Sequence, residues 1–537
     1  MGKKKSKMGD KPIHNLTTKS VKQKPIISAN KHELLWSGLV AIITFFCFYN
    51  TLDNGFVNWD DDKNFLEHPA IQHMTKADFW ASTKYIFTHH VIGNYNPLAN
   101  WTFAIEKLWF GFENPKAWHL NNVVLHVISS VLVFKIGSRL GLSLFGAVIL
   151  ALLFGIHPMR VESVAWVTER KDVLFGVFYL GAILQYILLL NDRKNIRWFW
   201  IGLFFILSLL SKIQAVSLPL SLIAIDYLLN DKFKSTFIWK KAPLFLLSIF
   251  FGILGIYFLK EYGSIDAASE GANYPFYQRL FIGSYSFLVY LIKVVFPYEM
   301  SPLYPYPNGF PWYFYMSMII APIVVFSLWW SYQKKYKVYF FGMTFFIVNI
   351  VFLLQILSAG QGFIADRFTY IAYFGLFFIP AHYIGQWVLN NQDKRWYAHT
   401  PAIFVLIVYG ATTIQQNKIW KDSGTLWTHV LKYYENTTTP YGNRANFYRD
   451  NGKYMEALAD YNKSIALKDD QPQAYNSRAR LFFTVAKSRD TLLMALRDYN
   501  KAIEYMPNDG EFYTNRGATY ARLNEIDKAI ADLTKGI

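Results

Sequence analysis

HPMRVESVAWVTERKD, residues 157–172, is a charged island between two apolar runs, LSLFGAVILALLFGI before it and VLFGVFYLGAILQYILLL after it. Arg160, Glu162, Glu169, Arg170, Lys171 and Asp172 all fall within it. Each flanking run is apolar enough to enter a bilayer, and charge at a membrane boundary is costly and seldom without a role. The island therefore marks a polar face on a membrane protein. His157 and Pro158 close the first run, and Pro158 suits the first turn of a new helix.

The composition agrees: 53% of the 537 residues are hydrophobic and only 17% are charged, where a soluble chain carries about a quarter. Apolar runs recur from residue 33 to about 415, which defines an all-α, polytopic domain. Residues 1–32 carry the lysine-rich stretch MGKKKSKMGDKPIHNLTTKSVKQK. They are expected to be a disordered cytoplasmic tail under the positive-inside rule, not a nucleic-acid-binding arm. No cleavable signal is read there. The single cysteine, Cys47, excludes a disulfide framework and a Cys-based metal site.

Apolar runs begin near residues 33, 118, 142, 172, 197, 215, 243, 281, 312, 338, 366 and 399. Basic linkers at 191–197, 230–241, 331–337 and 391–396 mark the cytoplasmic side. Parity between them requires one run not to cross. The run 281–297, ending in Lys293 and FPYEMSPLYPYP, is the weakest and is expected to be re-entrant or interfacial. Eleven crossings remain, which puts the loop 52–117, the 157–172 island, the junction at Lys212, the AGQGFIADRFTY stretch (359–370) and the C-terminal part on one extracytoplasmic face.

Two further polar features meet on that face. FVNWDDDKNF (56–65) places Asp60, Asp61 and Asp62 just beyond the first run. Adjacent carboxylates repel, so one of them suits proton transfer, while Asp at a helix start is equally a capping residue. ADRF places Asp366 beside Arg367, as an ion pair or as a guanidinium clamp for phosphate. Lys212 interrupts an apolar stretch and either snorkels or binds an anion. His157 with Glu162 is not a zincin pattern.

After a connector at 416–440, YGNRANFY (441–448), YNSRARLF (475–482) and YTNRGATY (513–520) align, each followed by a second helix. The period is 34 residues with four extra in the second unit, the tetratricopeptide pattern. Residues 441–537 thus form an α-solenoid of about three repeats, the last incomplete. Tyr441, Tyr475 and Tyr513 read as inter-repeat core. Asn443, Ser477 and Asn515 are either solvated or contact an extended polypeptide.

Taken in order, WDDD, NYNPLANWTFAIE (94–106), WHLNNVVLH (118–126), HPMRVESVAWVTERKD, LLSKIQAVSLPL (209–220), ADRFTYIA (365–372) and WKDSGTLW (420–427) resemble the transmembrane-and-tetratricopeptide O-mannosyltransferase family and its bacterial relatives. The resemblance implies a GT-C glycosyltransferase fold. It also implies transfer of a sugar from a polyprenyl-phosphate donor in the bilayer to a Ser/Thr hydroxyl of a protein acceptor. The family's acidic motif maps to Asp60 and Asp61, with Asp62 an extra acid. On this reading Asp61 is the base, Asp60 orients it, and Arg170, Lys171, Lys212 and Arg367 bind the donor phosphate. Asp62, His157, Glu162, Glu169, Asp172 and Asp366 support them, and Asn443 and Asn515 meet the acceptor. A divalent cation, Mg or Mn, remains open, with Asp60, Asp62, His157 and Glu162 as its ligands. The composition leans to a bacterial inner membrane with periplasmic repeats. The rival reading is a non-catalytic scaffold that recruits partners through its repeats. The two differ in whether the acids share a site with the cations.

Overall fold

The computed structural model describes residues 31–230, 235–262, 273–307, 309–356 and 360–537. The expected tail up to residue 30, part of the basic linker 230–241, and Ala359 lie outside the described residues. Every apolar run forms a helix: Lys31–Phe48, Pro115–Arg139, Leu144–Ile156, Arg170–Asp192, Ile196–Ser211, Leu218–Leu229, Ala242–Glu261, Phe276–Lys293, Ile320–Gln333, Lys337–Ile350, Tyr373–Asn390 and Trp396–Asn417. Many are shorter than a bilayer requires. Among the described residues six helices are long and apolar enough to cross, or seven if the pair Leu144–Ile156 and Pro158–Ala165, bent by 54°, counts as one span.

The expected eleven crossings are therefore not matched by eleven full-length helices, for a local reason. Pro158 forces a break after His157, and the chain at Lys212 is extended (φ −158°, ψ 128°), so the polar positions interrupt the apolar runs. Phe276–Lys293, the run expected not to cross, is absent from the six.

Burial separates centre from periphery. In the helix beginning at the charged island, 61% of the apolar window is buried, against 17% in Ala242–Glu261 and 17% in Trp396–Trp420. The peripheral helices expose Leu246, Ile249 and Ile253, and Ile403, Phe404 and Ile407. These belong against lipid, since apolar surface costs nothing there. At the centre, Gly342 and Gly375 let two helices touch: a Cβ on Gly342 would lie 2.5 Å from the Gly375 carbonyl oxygen.

The external loop folds into short helices, Pro69–Gln72, Phe79–Thr88 and Pro97–Phe110, around a small core of Phe65, Phe103 and Trp118. The only ladder among the described residues is a two-stranded antiparallel one, Tyr304–Pro305 with Gly362–Ile364. It carries the chain into Asp366 and Arg367.

The repeats are the helix pairs Thr438–Asp450/Tyr454–Leu467, Pro472–Val485/Arg489–Tyr505 and Gly510–Arg522/Ile526–Gly536. One arginine per repeat holds each pair together. Arg444, Arg478 and Arg516 each donate two bonds of 2.7 and 2.8 Å, to Asp460, Asp498 and Asp532 respectively. Their remaining nitrogens reach back to Thr428, Asn462 and Asn500. Thr428 lies on Ser423–Leu431, within the stretch expected to be a connector, and that helix stacks on the first repeat as each second helix stacks on the next.

Replacing Gly375 by Val should lower the apparent melting temperature in detergent by several degrees, corresponding to about 1–3 kcal/mol of overpacking. An unshifted melting curve would show that the two helices can part.

Candidate functional site

The site is built where the external loop meets the charged island. The loop leaves the first helix through Tyr49–Asp53 and turns at Gly55, whose N–H donates to the Lys421 carbonyl (2.9 Å). Trp59 then stacks on Trp166 of the island, centroids 4.7 Å apart and planes at 12°. Trp420 stacks on Trp166 at 5.4 Å, and Trp427 meets Trp59 edge-on at 5.3 Å. Three segments distant in sequence are joined by these four rings.

Asp61 is 1% exposed. Its Oδ2 accepts the Val57 N–H (2.8 Å), and its Oδ1 accepts Trp166 Nε1–H (2.9 Å), the Thr168 N–H (3.2 Å) and Thr168 Oγ1–H (2.7 Å). Burial pushes this carboxyl up to about 7 against the donors that favour its ionised form. Asp60 differs. It is partly exposed, and among the described residues no hydrogen bond reaches its carboxylate; only its backbone carbonyl is engaged, by Asn64. Its pKa is raised above the ordinary carboxylate range by burial, while Lys171 and Arg367 draw it back. Asp62 accepts its neighbour's N–H from Lys63 (2.9 Å), a local turn contact.

Beside Asp60 lies a network of ion pairs. Glu169 Oε1 sits 3.1 Å from Lys171 Nζ and 3.2 Å from Arg367 Nε, and its Oε2 is 3.7 Å from Lys212 Nζ. Arg367 also pairs with Glu162, and its own N–H donates to Glu162 Oε2 (2.9 Å). Lys212 also pairs with Asp172, which accepts Ser163 Oγ–H (2.9 Å). The layering matters: the side chains of Glu162, Glu169 and Asp172 are 4%, 0% and 0% exposed, those of Lys171, Lys212 and Arg367 12%, 14% and 20%. Acids form the floor and cations the mouth.

Of the phosphate-binding candidates, Lys171, Lys212 and Arg367 come together and Arg170 does not. Arg170 is 1% exposed and turned away. It donates to Glu106 Oε2 (3.1 Å) and the Trp118 carbonyl (2.8 Å), with Asn122 as a further partner. Its helical neighbours point the opposite way, which the sequence did not resolve. His157 is also fully occupied: Nδ1 accepts the Met159 N–H (3.2 Å), Nε2 bonds the Val294 carbonyl (3.2 Å), and Tyr373, Phe377 and Tyr409 enclose the ring. Among the described residues no group of three or more His, Cys, Asp or Glu side chains converges to hold a metal ion. The residues present therefore do not fit the cation considered from sequence.

Asp366 accepts Tyr304 Oη–H (2.8 Å) and lies 3.7 Å from Lys293 Nζ. Glu162 and Asp366 flank a cleft with Ser301, Gln416 and Trp420 of about 10 Å³, room for one water. Asn443 contributes a backbone carbonyl to the loop, accepting Asn58 Nδ2–H (2.8 Å), and Asn515 Nδ2 donates to Asn476 Oδ1 (3.1 Å). Sequence reasoning missed Asn58, Thr168, Lys293 and Tyr304. Only Trp166 carried a signal, as the aromatic inside the VESVAW string.

The fold and site define a multi-pass helical membrane domain joined to tetratricopeptide repeats. Residues 94–256 match the family model described as dolichyl-phosphate-mannose-protein mannosyltransferase, and residues 445–485 and 498–531 match tetratricopeptide repeat models. Among known proteins the chain is 32% identical over 166 residues to protein O-mannosyl-transferase TMTC3 of Mus musculus, covering 30% of this chain and 18% of that protein. It is 34% identical over 168 residues to TMTC4 of Homo sapiens (28% and 22%). It is 21% identical over 434 residues to protein O-mannosyl-transferase F38B6.6 of Caenorhabditis elegans (77% and 60%). The chain is thus similar to these protein O-mannosyl-transferases, and its matches span from about a fifth to 60% of these relatives' length.

Replacing Asp61 by Asn puts an amide among four donors and leaves buried N–H groups unsatisfied. The folded protein should lose about 3 kcal/mol, read as a lower melting temperature in detergent. A variant melting like the parent would show that the loop is held by its tryptophans alone.

Proposed function

We propose that the chain is a membrane glycosyltransferase that moves a mannosyl group from a polyprenyl-phosphate donor to a Ser/Thr hydroxyl of a protein acceptor on the extracytoplasmic face. The observation that carries this reading is the open carboxylate of Asp60 beside the Lys171, Lys212 and Arg367 mouth. Mannose and the protein acceptor rest on the names of the relatives. The repeats then lie outside the cytoplasm, in a bacterial periplasm if the compositional lean holds. The shared site of acid and cations favours the enzyme over the scaffold.

The chemistry follows from the layering. The donor phosphate docks on the three cations, which withdraw from the acid floor no further than a side-chain rotation. The acceptor oxygen attacks the anomeric carbon. A C–O bond forms there as the bond to the phosphate oxygen breaks, and the phosphate leaves with the electron pair. Asp60 takes the hydroxyl proton. The cations offset the extra charge on the departing phosphate. The roles expected from sequence are exchanged in this proposal. Asp60 is the base because its carboxylate is partly exposed and open to an incoming hydroxyl, whereas both oxygens of the buried Asp61 are taken up by protein donors, and Asp61 holds it in place. Arg170 braces the loop through Glu106, and direct displacement needs no metal ligand.

The test is transfer from polyprenyl-phosphate mannose to a Ser/Thr-rich peptide by the full chain in detergent. Asp60→Asn should lower kcat by at least about 100-fold, the size of a general-base contribution, with melting unchanged. Turnover at the parental rate would remove Asp60.

The pH profile gives a second check. The base must be ionised, so kcat/KM falls as pH drops through the Asp60 pKa, which burial places above the ordinary carboxylate range. Lys171 holds that pKa down, so Lys171→Ala should move the acid limb to higher pH. A limb that stays put or moves to lower pH would assign it to another group.

A further inference from the structure

Two residues before Asp60, Asn58 spends all its polar groups on the solenoid side of the molecule except its carbonyl. Its backbone N–H donates to Ser423 Oγ (2.8 Å). Its Nδ2–H donates to the Asn443 carbonyl of the first repeat (2.8 Å). Its Oδ1 accepts Trp427 Nε1–H (2.9 Å). Ser423 and Trp427 belong to Ser423–Leu431, which Arg444 ties to the first repeat through Thr428 (3.2 Å). At the loop's other end, Glu511 of the third repeat lies within electrostatic reach of Lys63. The solenoid therefore bonds the acid loop before Asp60 and lies within electrostatic reach of it beyond Asp60.

We infer that Asn58 is a positioning residue through which the repeat domain sets the placement of Asp60. The inference rests on the transferase reading. Its physical content is separate: loop 56–65 and the first repeat form one hydrogen-bonded unit, and an acceptor segment held by the repeats meets a base fixed in the same frame. Asn suits this post because one amide both donates and accepts. Backbone targets at Asn443 make the clamp indifferent to that residue's side chain. Without the clamp, Asp61 still anchors the loop to the membrane domain, but Asp60 loses its registry with the solenoid. Misplacement by about 1 Å costs on the order of 100-fold in rate.

Two measurements on the full chain test this. Hydrogen exchange, which needs no turnover, should rise in Asn58→Ala at residues 56–65 and in Thr438–Asp450 together. Exchange unchanged in either segment overturns the clamp. In the transfer assay with polyprenyl-phosphate mannose and a Ser/Thr-rich peptide, Asn58→Ala should lower kcat about 10- to 100-fold with the donor KM unchanged. Trp427→Phe, which removes the indole N–H together with one ring, should act in the same direction, and the double variant should lose less than the product of the two single losses. A parental kcat in Asn58→Ala, or losses that multiply in the double variant, would overturn the positioning role. A parent protein that transfers no mannose would defeat the transferase reading and leave the exchange result decisive for the clamp.

Discussion

One buried carboxylate, that of Asp61, holds the charged face together. Taking a carboxylate out of water costs several kcal/mol, and here Val57, Trp166 and Thr168 return four hydrogen bonds. Bonds to a charged acceptor contribute roughly 1.5–3 kcal/mol each, which offsets part of the burial and leaves the carboxyl raised to about 7. Losing one leaves the rest stranded, so the contact is all-or-none. It pins the external loop to the island between two helices. Because one aspartate is saturated, its neighbour is displaced along the loop and left free. Two adjacent, chemically identical residues thus acquire opposite surroundings from geometry alone.

The tryptophan stack extends that lock. Trp59, Trp166 and Trp420 come from the loop, the island and the end of the last apolar helix, and the guanidinium of Arg367 sits 5.5 Å from the Trp166 ring. Rings of this size bury much apolar surface and present a negative face to cations. They hold the cation mouth against the loop without consuming its hydrogen-bonding capacity. The acid floor then makes three closely placed cations tolerable, since like charges would otherwise repel strongly in a low-dielectric setting. An anion arriving at the exposed side of Lys171, Lys212 and Arg367 meets charges already gathered.

Much of this was legible in the sequence. Hydropathy located the apolar helices and the 34-residue period located the repeats. Three of the four proposed phosphate-binding cations do meet. What could not be read was direction. Arg170 and Lys171 are adjacent, yet one faces Glu106 and the other Glu169, because the three-residue helical turn Val167–Glu169 sets the phase of the following helix. The expected eleven crossings find only six or seven full-length helices among the described residues for a related reason: hydropathy averages over Pro158 and Lys212, where the backbone breaks. Lys293 and Tyr304 were invisible as partners of Asp366 because a two-stranded ladder brings them across some sixty residues.

The repeats complete the same frame. In a solenoid each unit touches only its neighbours, so the first needs a surface to stack on. Here Ser423–Leu431 supplies it, and Arg444 bonds Thr428 as Arg478 bonds Asn462 and Arg516 bonds Asn500. That helix follows the last apolar helix almost without a linker and carries Trp427 to Trp59. The repeat array is therefore not a module on a flexible tether. Its first surface is part of the membrane domain's own packing, and a tether would have left the distance between a captured chain and Asp60 to diffusion. Direct stacking fixes that distance, and the proposed proton transfer from an acceptor hydroxyl to Asp60 would require it.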